Sequence, residues 1–148
     1  MPPSQLSPID DRVSVAGQIR PDDLADLARQ GFTAIVNNRP DGEAMFGQPR
    51  TADIRRAAEA AGLVFLDLPF SGPRASPDQV RAFSHLLATT QGQVLLYCKS
   101  GMRSAFLWGA AQIAAGQPLD QVVAAAMRAG QNLEPLGEVM MALAAAAR

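Results

Sequence analysis

The single cysteine of the chain, Cys98, stands in the stretch LLYCKSGMRS at positions 95–104, between an apolar run and a basic loop containing a glycine. A loop that leads from a strand into a helix aims successive backbone N–H groups and the helix dipole at one point, and Gly101 lets it turn tightly. That arrangement is an anion cradle. The same field favours a thiolate, and Lys99 and Arg103 add positive charge, so Cys98 is expected to act as a nucleophile. The planar guanidinium of Arg103 can grip two oxygens of an oxyanion. The hydroxyl of Ser104 lies where it can donate to the thiolate, cap the following helix, or both.

Two carboxylates are candidates for a general acid. Asp41, in RPDGE, can reach the site from a long loop, although an aspartate before Gly42 is also an ordinary turn residue. Asp67, in FLDLPF, sits where alternation can point it out from the carboxyl end of a sheet; a partnered strand-end aspartate is the plainer reading. Asp78 is accounted for by its place in a first helical turn. Arg74, in SGPRAS, reads as an exposed loop arginine, with substrate contact as the alternative. His85 is the only histidine and falls off the Val80, Phe83 and Leu87 stripe of its helix, which makes it a solvated residue. One cysteine and one histidine give no zinc constellation, and neither a metal nor a cofactor is expected.

These residues need elements to position them. RVSVAGQI alternates as a strand, and RPDDLADLARQG follows as a helix with proline and acids at its start and Gly31 as its stop. FTAIVNN reads as a buried strand, TADIRRAAEAAG as a helix capped by Thr51 and ended by Gly62, and LVFLDLP as a third strand. SPDQVRAFSHLLATT carries a capping box from Ser76 to Gln79 with Pro77 in the first turn. QVLLYC is the fourth strand, and SAFLWGAAQIAAG the helix after the cradle. QPLDQVVAAAMRAG and LEPLGEVMMALAAAAR then make the C-terminal third helical. The pattern predicts one α/β domain over residues 1–148, with a mainly parallel sheet of four to five strands flanked by helices. In such sheets ligands sit beyond the carboxyl ends of the strands, where Cys98 is placed. NNRPDGEAMFGQPR is the longest connection, a polar loop suited to the neighbourhood of a site.

Composition narrows the partners. A net charge of −1 offers no general attraction to nucleic acid or anionic lipid, and no apolar stretch is long enough to span a bilayer. A lone cysteine and an N-terminal MPPSQLSPID without a basic segment or signal core place the chain in a bacterial-type cytoplasm. Oligomeric state is left open.

The order of elements, with VLLYCKSGMRS followed by helices, resembles the cysteine phosphatase superfamily in its small dual-specificity-like form. More closely, SVAGQI, PDDLADLARQGFTAIVNNRPDGE, AAGLVFLDLPF and YCKSGMRSAFLW resemble the bacterial phosphatase-like domain also found fused to beta-lactamase-like hydrolases. The resemblance covers roughly residues 12–130. It implies that Cys98 is the nucleophile, Arg103 the oxyanion-binding arginine, and Lys99, Ser100, Gly101 and Met102 the substrate cradle. Phosphatases of that superfamily place five residues between cysteine and arginine; here there are four. Tyr97 stands where a histidine usually precedes the cysteine, and PFSGPRAS carries no aspartate where the proton donor normally lies. A six-residue loop from cysteine to arginine also resembles rhodanese-like sulfurtransferases, which hold a persulfide there and need no acid for a leaving alkoxide. Three functions follow: a phosphatase-like hydrolase, a sulfurtransferase carrying a persulfide on Cys98, or a non-catalytic anion-binding module. The first two take a phosphorylated or sulfane-sulfur substrate, either a small molecule or a protein.

Overall fold

A computed structural model describes residues 6–148, so the first five residues of the N-terminal stretch lie outside the described residues. The aliphatic run Gln93–Tyr97 (β5) takes the middle of the sheet, where both faces are covered. Val13–Ala16 (β2) and Phe32–Asn37 (β3) flank it, both parallel to it. Val64–Asp67 (β4) adds to β3 in parallel at one edge, and Ser7–Pro8 (β1) runs antiparallel to β2 at the other. The five-stranded order is β1-β2-β5-β3-β4. The four expected strands are the parallel set; β1 is an addition, too short and too close to proline to show an alternation in sequence.

Alternation along β5 divides the core in two. Val94 and Leu96 face one cluster, Leu95 and Tyr97 the other. The first is closed by Pro77–Thr89 (α3), Met102–Ala114 (α4), Leu119–Arg128 (α5) and Gly137–Ala147 (α6). The second is closed by Asp23–Arg29 (α1) and Thr51–Ala60 (α2). A 3-10 turn, Glu134–Leu136, leads into α6, so the C-terminal third is helical as its composition predicts. Among the described residues no helix is long and apolar enough to cross a membrane.

Local signals hold where the partner is a few residues away. The Ser76–Gln79 capping box forms in both directions, and Gly31 and Gly62 close their helices at positive φ. The buried face of α3 runs Val80, Phe83 and Leu86, with Leu87 only partly covered. Two expected caps differ. Arg50, not Thr51, is the N-cap residue of α2 and caps nothing with its side chain; the first turn is capped by Asp41, whose Oδ1 accepts from the backbone N–H and the hydroxyl of Thr51, each at 2.8 Å. Helix α4 begins at Met102 with Gly101 as N-cap, which puts Ser104 inside the helix.

Candidate active site

Cys98 leaves the carboxyl end of β5, its backbone N–H donating to the Ala16 carbonyl at 3.2 Å. Its side chain is buried, and the Gly101 N–H donates to Sγ at 3.1 Å. That bond requires the chain to double back within three residues, and Gly101 does so at φ +96°. A Cβ there would be strained by the dihedral and would lie 2.8 Å from Nε2 of Gln131, the group that donates to the Ser100 carbonyl at 3.0 Å. The segment after α5 therefore braces the cradle from outside. Lys99 and Ser100 are exposed, Gly101 is buried and Met102 is half-buried.

Arg103 lies in the first turn of α4, its side chain only 15% exposed. Nη1 donates to Glu43 Oε2 at 2.7 Å and to the Phe70 carbonyl at 3.1 Å, while Nη2 donates to Glu43 Oε1 at 2.9 Å. The same Oε1 accepts from Nε of Arg39 at 2.9 Å, and Arg39 Nη1 in turn donates to Gln18 at 3.0 Å. Arg39 is buried. Glu43 thus joins two guanidinium groups. The Arg103 hydrogen bonds, opposed by desolvation and assisted by Arg39, hold its carboxyl at about 2. In return Glu43 raises the Arg103 pKa above its ordinary value, against desolvation, and the neighbouring Cys98 acts in the same direction as Glu43. Glu43 takes the Nη1 and Nη2 edge of Arg103 and so orients the guanidinium, leaving its Nε side as the fork for a second two-oxygen anion.

Ser104 is fully buried and its hydroxyl donates to Oδ1 of Asn38 at 2.9 Å, so neither the capping role nor donation to Cys98 describes it. Asn38 is also buried, donating from Nδ2 to the Leu68 carbonyl and from its backbone to the Tyr97 carbonyl. One residue fastens the ends of β4 and β5 and the start of α4 to the end of β3. The two candidate acids have other partners. Asp41 caps α2, and Asp67 accepts from Nδ2 of Asn37 at 2.9 Å. Burial, with the charges of Asp67 and Asp41 adding, pushes the phenol of Tyr97 far above its ordinary range and keeps it neutral. His85 and Arg74 are exposed, as expected of a solvated helix residue and a loop arginine. No three His, Cys, Asp or Glu residues among the described residues gather to hold a metal.

The structure brings Cys98, Gly101 and Arg103 together and adds Glu43, Arg39 and Asn38, which the sequence reading did not single out. All three lie in NNRPDGE, immediately after a buried strand. Arginine and glutamate four residues apart suggest an ion pair; that its target is Arg103, sixty residues away, is a tertiary fact.

Comparison with known proteins gives the family and the fold. The family described as beta-lactamase hydrolase-like protein, phosphatase-like domain, matches residues 5–117. A beta-lactamase hydrolase-like protein from Agrobacterium fabrum is 40% identical over 100 residues, covering 68% of this chain and 23% of that protein. The chain spans about a quarter of the length of the curated relatives it matches. Among solved structures, a candidate phosphatase from Neisseria meningitidis superposes with a TM-score of 0.81 at 31% identity, covering 94% of this chain and 98% of that one. PTPMT1 in complex with PI(5)P shares the fold, with a TM-score of 0.72 at 18% identity over 96% of each chain.

Proposed function

The chain belongs to the family of the phosphatase-like domain of beta-lactamase hydrolase-like proteins, and from that membership we propose a cysteine-dependent, phosphatase-like hydrolase acting on small phosphorylated molecules. One observation carries the reading: a buried cysteine sulfur receives a backbone N–H from a left-handed glycine and lies beside an oriented arginine fork. In the proposed reaction the Cys98 thiolate attacks phosphorus in line with the leaving oxygen. The S–P bond forms as the P–O bond breaks, with Arg103 and the loop N–H groups holding the equatorial oxygens. Water then attacks phosphorus, the S–P bond breaks, and orthophosphate and the thiolate are released. Asp41 and Asp67 are committed elsewhere and Glu43 is ionised, so the leaving oxygen departs without a carboxylic acid to protonate it. Aryl phosphates, whose oxides leave readily, are therefore the better substrates, because a positioned general acid contributes about 10²–10⁴-fold with poor leaving groups.

The same observation favours a second reading. A cradle with four residues between cysteine and arginine and no acid suits sulfur transfer: the thiolate attacks the sulfane sulfur of a thiosulfate-type donor, sulfite leaves, and a persulfide stays on Cys98. Brief incubation with an aryl phosphate and, in parallel, with thiosulfate, followed by acid quench and peptide mapping, separates the two. A phosphoryl adduct on Cys98 with phosphate release is the expected result. A single added sulfur with no phosphoryl adduct would replace the first reading with the second. Absence of either adduct, with an intact anion site, would leave a binding module.

A further inference from the structure

Four residues separate the clasped Glu43 from Gln48, and two of them, Met45 at 88% and Phe46 at 85%, are the most exposed large apolar side chains among the described residues. The other large apolar side chains on the surface are roughly half covered. The loop that carries them is pinned. Gln48 accepts from the Ala44 N–H and donates to the Pro40 carbonyl, Asp41 is fastened to α2, and Glu43 is fastened to Arg39 and Arg103. These ties hold the loop on both sides of the tip that carries Met45 and Phe46. Phe46 is three residues from Glu43, so its Cα lies within about 11 Å of the residue that sits on the anion-gripping fork. Adjacent apolar side chains exposed beside a polar site mark a surface that something covers.

We infer that Met45 and Phe46 are substrate-specificity residues that cover the apolar body of a soluble molecule whose anionic group is held by Arg103 and the cradle. The inference rests on reading Arg103 as the anion-holding group. A soluble occupant is favoured over an anionic membrane by charge: across the loop 37–50 Asp41 and Glu43 balance Arg39 and Arg50, so it carries no net positive charge to draw it to anionic lipid.

Binding of a series from methylphosphonate to hexylphosphonate, followed by calorimetry on the whole chain, tests this without turnover. With each methylene half covered, Kd falls about twofold per carbon, or about thirtyfold across the series. In Met45→Ser/Phe46→Ser the series flattens while the Kd of methylphosphonate stays within about twofold, because exposed tip residues do not touch the anion site. A flat series in the wild type, or an unchanged slope in the variant, overturns the inference and leaves the anion reading intact. Failure of the wild type to bind methylphosphonate or inorganic phosphate overturns the anion reading itself. Sedimentation as a dimer that the variant loses would assign the tip to a second copy. Binding to phosphatidylcholine vesicles containing phosphatidic acid, lost in the variant, would assign it to a membrane. Either result displaces the soluble substrate.

Discussion

The loops at 98–104 and 37–50 meet at an ion pair and a buried hydrogen bond, yet they are built by different means. The first is held mainly through its backbone groups: the Gly101 N–H reaches back to the Cys98 sulfur, the Ser100 carbonyl accepts from Gln131, and α4 begins at once. The second is held by side chains that find partners in three other places, Asp41 on Thr51, Glu43 on Arg103, and Asn38 on Leu68 and Ser104. A backbone-built loop tolerates changes in the identity of most of its side chains but not at its turn. A loop built from side chains tolerates backbone variety and is loosened when a charge or amide is removed.

The difference orders the expected effects of mutation. Arg103→Lys should be the most severe of those considered, because an ammonium keeps the charge but loses the two-pronged grip on Glu43 and the one proposed for substrate. Steady-state kinetics should show kcat/KM down by about 10² or more, in line with the loss of one transition-state donor. Retention of nearly full activity would mean that the fork is not what holds the reacting anion.

Gly101→Ala should come next. The dihedral cost and the contact with Gln131 together should lower stability by about 1–2 kcal/mol in denaturant unfolding, and turnover should fall with the displaced Gly101 N–H. Adding Gln131→Ala should return only the contact part. Full recovery in that double variant would show that the left-handed turn is not required.

Glu43→Gln should have the smallest effect and a distinct pH signature. Glu43 titrates at about 2 in the fold against 4.5 for the free side chain, so its contribution is complete above about pH 4.5 and is lost as pH falls through about 2. Solvent reduces that contribution to on the order of 1 kcal/mol. The stability gap between wild type and Glu43→Gln should therefore be constant at neutral pH and close between about pH 4.5 and 2. A gap independent of pH over that window would mean the carboxylate is not held as a charged partner.

The legibility of the molecule followed the same division. The parallel strands, the α3 capping box and the tight turn after Cys98 could be read because their determinants lie within a few residues of one another. The cap of α2 could not, since its carboxylate comes from ten residues upstream, and Ser104 looked like a cap until α4 was seen to begin at Met102. Glu43 and Asn38 were passed over because a polar residue in a polar loop carries no local sign of a partner sixty or more positions away.

By itself the sequence determined which groups stand together and on what kind of turn: a thiol, a flexible glycine and a guanidinium within six residues at a strand-to-helix junction, the grouping from which a nucleophile and an anion cradle are proposed. Only the tertiary structure decided what surrounds them. Pairing β3 beside β5 brings the long loop over the cradle, places Glu43 on Arg103, and commits Asp41 and Asp67 to structural partners. Charges and hydrogen-bonding groups act over a few ångströms of space whatever their separation along the chain, so their partners are settled by topology and not by neighbours in sequence.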